Sequence, residues 1–167
     1  WAQDELASAF APPLADTHAL VVGMGAIGTL TARLLRGLGM RVDGIGRRAA
    51  EGKHGVESLP DLLPSADVVV ITAPHTPETD RLFDRAMLAR MKPGSLLVNV
   101  GRGRIIDEAA LVEALSEGRP GGAALDVFER EPLDAGSPLW HMENVILTPH
   151  IAGFGPRYWE GIVELFA

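Results

Sequence analysis

A chain of 167 residues, 47% of them apolar, can bury one domain-sized core, and the absence of cysteine removes any disulfide framework or thiolate metal site. A formal net charge of −7 argues against a broad nucleic-acid surface while leaving room for a local cationic pocket. No apolar run approaches the roughly 20 residues of a membrane span, and no signal-peptide pattern opens the chain, so a soluble cytoplasmic protein without membrane or nucleic-acid partners is expected.

In chain order, Gln3 to Phe10 has the pattern of a short helix interrupted by Ala11-Pro12-Pro13, and residues 1–18 read as a leading linker segment. Ala19 to Val22 is an apolar strand that runs straight into Gly23-Met24-Gly25-Ala26-Ile27-Gly28, after which Thr29 to Leu38 continues as a helix. Arg41 to Ile45 is the next strand, Leu59 to Leu63 a short helix, and Asp67 to Thr72 a buried strand. Helical patterns follow over Thr79 to Phe83 and Arg85 to Met91, with Lys92-Pro93-Gly94 as a stop. Ser95 to Val100 is a strand, Asp107 caps a helix over Ala109 to Glu117 that Gly118 ends, and Gly122 to Val127 and Val145 to Leu147 are the last strands. This alternation predicts the α/β class: a Rossmann-type, doubly wound, mostly parallel sheet with helices on both faces, spanning residues 19–155.

The strand, glycine loop and helix together point to a dinucleotide pyrophosphate. The first glycine permits a tight turn, the second lets phosphate approach the backbone, and the third lets helix pack on strand. Gly23, Gly25, Ala26, Ile27 and Gly28 are therefore the expected cradle. Where an NAD site commonly carries an acid at the end of the second strand, this chain has Gly46-Arg47-Arg48. Arginine forms charge-assisted bonds with a 2′-phosphate, so Arg47 and Arg48 favour NADP(H), with NAD(H) still possible. Asp43 falls within the strand and too early, and reads as a residue of the sheet surface or one with a local partner.

Ligands of open parallel sheets sit beyond the carboxyl ends of the strands. That rule adds Ala73 and Pro74, then Val100, Gly101 and Arg102, then Asp126, and finally His150, Ala152 and Gly153 to the expected cofactor contacts. Arg102 follows a buried strand between glycines, and its planar fork suits a carboxylate. His150 can give or take a proton near neutral pH, and a carboxylate beside it would orient its ring; Glu131 is one candidate. Trp140 could shape a small-acid pocket or simply pack. His18, His54, His75 and His141 read as surface or loop residues, His75 alone lying at the ligand edge, and no spacing suggests a metal site.

The glycine loop, Thr72-Ala73-Pro74 with Thr76-Pro77-Glu78-Thr79, Lys92-Pro93-Gly94, Asn99 to Gly103, Asp126 to Leu133 and Thr148 to Gly153 together resemble the cofactor domain of the D-isomer-specific 2-hydroxyacid dehydrogenases. The resemblance implies that Arg102 binds the substrate carboxylate, His150 is the acid/base, Glu131 pairs with His150, and Asp126 faces the nicotinamide carboxamide. Hydride transfer between NADP(H) and a small 2-oxo or D-2-hydroxy acid would follow. Pro149-His150 is unlike the formate dehydrogenases of this kind, which carry Gln before the histidine. Gly46-Arg47-Arg48 and Ser137-Pro138-Leu139-Trp140 resemble the glyoxylate/hydroxypyruvate reductase branch. By the same resemblance a homodimer is expected, an N-terminal substrate domain is missing, residues 156–167 begin a shortened return helix, and the chain alone would bind cofactor with little turnover. The alternative is a dinucleotide-sensing module similar to the transcriptional corepressors of this fold.

Overall fold

The computed structural model describes residues 13–155, so the expected Gln3–Phe10 helix and the segment 156–167 lie outside the described residues. Seven strands form one sheet: β1 (His18–Val22), β2 (Arg41–Gly46), β3 (His54–Gly55), β4 (Val68–Ile71), β5 (Leu96–Asn99), β6 (Gly122–Leu125) and β7 (Val145–Leu147). Their order is β3-β2-β1-β4-β5-β6-β7, and every neighbouring pair is parallel. The chain crosses over between β1 and β4, so the loops after those two strands diverge and open a crevice.

Apolar runs, rather than alternating ones, make strands that are covered on both faces. All five residues of β1 are buried. Leu20 and Val22 join one core with Ile45, Val69, Ile71, Leu97 and Leu125, while Ala19 and Val21 join a second with Val42 and Val70. That alternation is the period-2 geometry of a strand. Helix α1 (Ala26–Gly37) supplies Ala32 and Leu35 to the second core. Helices α2 (Leu59–Leu62), α3 (Arg85–Leu88) and α4 (Glu108–Ser116) supply Leu59, Leu88, Leu111 and Leu115 to the first, so helices lie on both faces. The Asp107 carboxylate accepts from Ala110 N at 3.0 Å and caps α4, a contact worth about 0.5–2 kcal/mol, and Gly118 with φ +72° follows its end.

Three details depart from the sequence expectation. Strand β3 is additional: at two residues it is too short to carry a periodic signal, and its pairing of Ile45 with His54 and Gly46 with Gly55 is what defines it. The helix expected over Thr79–Phe83 is instead a series of turns. The Thr79 hydroxyl accepts from Thr76 N and donates to Pro74 O, both at 2.8 Å, and such bonds compete with a helical backbone. Phe83 then bridges to Ile106 in parallel fashion and is fully buried. The third departure is His18, which is 3% exposed rather than at the surface. Its burial is tolerated because Nε2 meets Asp43 Oδ2 at 2.9 Å and Nδ1 meets Ser65 O at 3.1 Å. Asp43 also meets His54 Nε2 at 3.1 Å, so it has the local partners expected of it.

Candidate active site

The three glycines after β1 have three separate geometries. Gly23 has φ +107°, and a Cβ there would sit 2.4 Å from Ala73 N. A Cβ on Gly28 would sit 2.0 Å from Gly23 O, so α1 packs directly on the turn. A Cβ built on Gly25 would meet nothing within 4 Å, and no side chain caps α1. The helix N–H groups are thus left facing open space, as a bound phosphate requires. Thr72 fixes the turn by donating to Gly23 O at 2.7 Å. The adjoining cleft is lined by Gly23, Gly25, Gly46, Arg47, Lys53, Ala73, Pro74, Thr76 and Glu78, among others. These residues fit a dinucleotide: an uncapped amide cradle at one point and cations at the end of β2. Arg48 is exposed and is not among the residues lining that cleft.

Farther along the same sheet edge, β5, β6 and β7 end beside one another and bring their following loops together. Asn99, fully buried at the end of β5, accepts from Gly101 N at 3.0 Å and donates to Arg102 O at 3.1 Å. This buried amide sets the path of Val100 to Arg102. A buried polar side chain closing an apolar strand needs such partners, and that was the available sequence signal for its positioning role. Arg102 Nη1 donates to Gly101 O at 2.7 Å, and its side chain lines an opening shared with His75, Arg104, Glu131 and His150.

His150 Nδ1 and Glu131 Oε2 are 2.7 Å apart, while Glu131 Oε1 accepts from Phe128 N at 3.1 Å. Burial alone would raise the Glu131 carboxyl, but hydrogen bonds from His150 and Phe128, with the fields of His150 and Arg102, outweigh it and hold the group below its ordinary value. An ionised carboxylate only accepts, so Nδ1 carries the proton and Nε2 is the nitrogen left to exchange one. His150 has φ +56°, in the left-handed region that non-glycine residues enter seldom. Asp126 sustains that backbone: Oδ1 accepts from Thr148 Oγ1 at 2.5 Å and Ile151 N at 2.9 Å, and Oδ2 accepts from Ala152 N at 2.9 Å. Burial would raise Asp126 too, yet these bonds and the field of His150 hold its carboxyl below the usual range. Its Oδ2 keeps one lone pair beyond those bonds.

The remaining candidates take simpler places. His75 Nε2 meets Asp80 at 2.6 Å on the rim, and Arg104, exposed, pairs with the same carboxylate at 3.3 Å. Trp140 is half exposed, donates from Nε1 to Asp134 O at 2.9 Å, and walls an apolar cavity of about 640 Å³ with Phe128, Leu133, Leu147 and Pro149 against the other side of the His150–Glu131 pair. Gly153 is exposed with open space around it. Among the described residues no group of three or more His, Cys, Asp or Glu could hold a metal, and no helix is long and apolar enough to cross a membrane.

An all-parallel doubly wound sheet, a glycine cradle at its crossover and a paired histidine at the same edge define a nucleotide-binding α/β domain. Residues 1–152 match the family profile "D-isomer specific 2-hydroxyacid dehydrogenase, NAD binding domain", and the chain belongs to that family. It is 45% identical over 152 residues to a glyoxylate reductase of Korarchaeum cryptofilum, covering 88% of this chain and 46% of that protein. The chain therefore spans about half the length of the curated relatives it matches. Among solved structures, a D-isomer specific 2-hydroxyacid dehydrogenase from Xanthobacter autotrophicus Py2 in complex with NADPH and MES superposes with a TM-score of 0.83 at 39% identity, over 97% of this chain and 73% of that one. An NADPH-dependent glyoxylate/hydroxypyruvate reductase from Sinorhizobium meliloti in complex with NADP and sulfate gives 0.83 at 35% identity, over 98% and 57%.

Proposed function

We propose that this chain is the cofactor domain of an NADPH-dependent reductase of small 2-oxo acids, with His150 as acid/base, Glu131 as its partner and Arg102 as the carboxylate ligand. The observation that carries the reading is the 2.7 Å His150–Glu131 contact opening onto the same space as Arg102. Arg102 orients the acid by gripping both oxygens of its carboxylate. Glu131 fixes the ring so that Nε2 delivers a proton to the carbonyl oxygen in reduction and removes it in the reverse direction. When bound, the nicotinamide supplies the hydride to C2, giving a D-2-hydroxy acid. Oδ2 of Asp126, with its remaining lone pair, is assigned to the carboxamide. Relatives that are glyoxylate reductases and structural neighbours holding NADPH or NADP support both the substrate class and the cofactor. The same relatives leave the sensing alternative without a supporting observation.

His150 and Glu131 side chains are 49% and 38% exposed, so in the 167-residue chain the proton-transfer site faces water. Catalysis of this kind needs water excluded. The 167-residue chain is accordingly assigned cofactor binding with little turnover. In a polypeptide carrying this domain at the length of the reductase relatives, His150→Ala is expected to abolish NADPH oxidation with glyoxylate or hydroxypyruvate while NADPH affinity stays within about twofold. Surviving turnover refutes the assignment. Homodimerisation belongs to the same proposal: Ile27, Leu30, Leu34 and Leu38 form an exposed apolar stripe along α1 and past its end. A monomer in light scattering at micromolar concentration removes it.

A further inference from the structure

Resting on the NADP(H) reading above, we infer that Lys53, together with Arg47, forms the site for the 2′-phosphate, and that Arg48 is a bystander. Lys53 stands seven residues beyond the end of β2, but the chain turns it back. Ala50 and Lys53 exchange two backbone hydrogen bonds, Ala50 N to Lys53 O at 3.1 Å and Lys53 N to Ala50 O at 3.0 Å, closing a tight turn through Gly52 at φ +75°. Strand β3 then anchors the next two residues alongside Ile45 and Gly46. The Lys53 side chain lies across Gly46: a Cβ built on that glycine would meet Cδ at 2.9 Å, Cε at 3.1 Å and Nζ at 3.2 Å. The absence of a side chain at Gly46 is therefore what admits the ammonium to the carboxyl end of β2.

That end of the second strand is where the adenosine ribose sits in folds of this topology. Lys53 and Arg47 both line the cleft that begins at the glycine cradle. Among the described residues neither has a carboxylate at ion-pair distance. Glu78 lines the same cleft, and a hydrogen bond from Thr76, with the field of Arg47, keeps its carboxyl below its ordinary value. Lys53 is nonetheless half-buried, and a half-buried ammonium without a carboxylate is suited to an external anion. A ribose 2′-phosphate carries close to two negative charges and three acceptor oxygens, enough for a planar guanidinium and a point ammonium at once. A ribose hydroxyl offers neither charge.

The test is calorimetric titration of the 167-residue chain and its Lys53→Met, Arg47→Ala and Arg48→Ala variants with NADPH and with NADH. Lys53→Met is expected to weaken NADPH about 10- to 100-fold, the loss of one charge-assisted bond, and to leave NADH within about twofold, which also shows that the variant is folded. Arg47→Ala behaves alike, Arg48→Ala changes NADPH by less than about threefold, and Lys53→Arg restores the preference for NADPH. If the parent chain prefers NADPH and Lys53→Met keeps that preference, Lys53 is overturned while the NADP(H) reading stands. If the parent binds NADH as tightly as NADPH, that reading falls and the inference falls with it.

Discussion

Replacing Asp126 by asparagine is expected to loosen the loop that carries His150, and the size of the effect follows from three hydrogen bonds. The carboxylate is 4% exposed and accepts from Thr148 Oγ1, Ile151 N and Ala152 N. An amide keeps one oxygen for Thr148 and Ile151 but turns an NH2 group toward Ala152 N–H, so a donor faces a donor. A buried donor without an acceptor costs about 1–3 kcal/mol, and for a chain of this size each kcal/mol is about 2–4 °C in Tm. His150 gives the effect a local signature. Its left-handed backbone at φ +56° is a conformation that costs about 1–3 kcal/mol and persists only while its surroundings hold it. Asp126→Asn should therefore accelerate amide exchange at Ile151 and Ala152 and weaken the His150–Glu131 contact, beyond lowering the urea midpoint. The folded Asp126 carboxyl lies below its ordinary value, so its contribution is complete above the usual carboxylate range and disappears as pH falls through the lowered value. The variant should accordingly lose stability at neutral pH and converge on the parent in strong acid. A change under about 0.5 kcal/mol at pH 7, with exchange at Ile151 and Ala152 unaltered, would refute the reasoning.

Gly28→Ala and Gly25→Ala should separate folding from binding: a Cβ on Gly28 would lie 2.0 Å from Gly23 O, so that variant unfolds at lower denaturant, whereas a Cβ on Gly25 would meet nothing within 4 Å, so its variant keeps the parent midpoint and loses NADPH affinity in titration. The opposite assignment of effects would contradict the roles given to the two glycines. In acid, Asp43 and Asp67 act together. Burial opposes their ionisation, but His54 and His18 hold Asp43, and Lys92 and His18 hold Asp67, below the ordinary value near 3.8. Their contribution is present above that value and lost as pH falls through the lower folded ones, so Asp43→Asn should flatten the acid limb of a stability curve measured by urea titration. An acid limb as steep as the parent's would count against it.

The positions of the glycine loop, Arg102 and His150 at the sheet edge were legible because each follows an apolar run closely, whereas Glu131, six residues past β6, was one candidate partner until the fold set it 2.7 Å from His150. The Asp107 cap and the Gly118 stop were legible for the same local reason. What escaped the sequence depends on contacts distant in the chain. Lys53 reaches the cleft only because Ala50 and Lys53 close a turn and Gly46 lacks a side chain. His18 is buried because Asp43 and Ser65, 25 and 47 residues away, meet its two ring nitrogens. Thr79 broke an apparent helix through hydroxyl bonds that a periodicity argument does not see. Asn99 lies between these cases: its burial follows from the strand, whereas its grip on both Gly101 and Arg102 appears only in three dimensions.

Charge is divided between the two ends of this sheet, and that division explains how a chain of net charge −7 can present cations at the edge where an anionic dinucleotide binds. Where β1 begins, Asp67 accepts from His18 N at 2.8 Å and from Lys92 Nζ at 2.5 Å, and Asp43 meets His18 and His54. The chain's own cationic groups and N–H donors satisfy those carboxylates: Asp43 ties β2 to β1 and β3, and Asp67, just before β4, ties that strand's start to β1 and to Lys92. At the carboxyl edge the pattern reverses. Arg81 and Arg104 on the rim have carboxylate partners, but among the described residues Arg47, Lys53 and Arg102 have none within ion-pair distance. These three cations face the crevice with the chain's own carboxylates Glu78 and Glu131 near Arg47 and Arg102 but beyond ion-pair distance, and net charge, averaged over the whole surface, hides them. Adding a carboxylate beside any one of them would lower ligand affinity more than its single charge implies, because it would supply from within the chain the partner that the ligand brings.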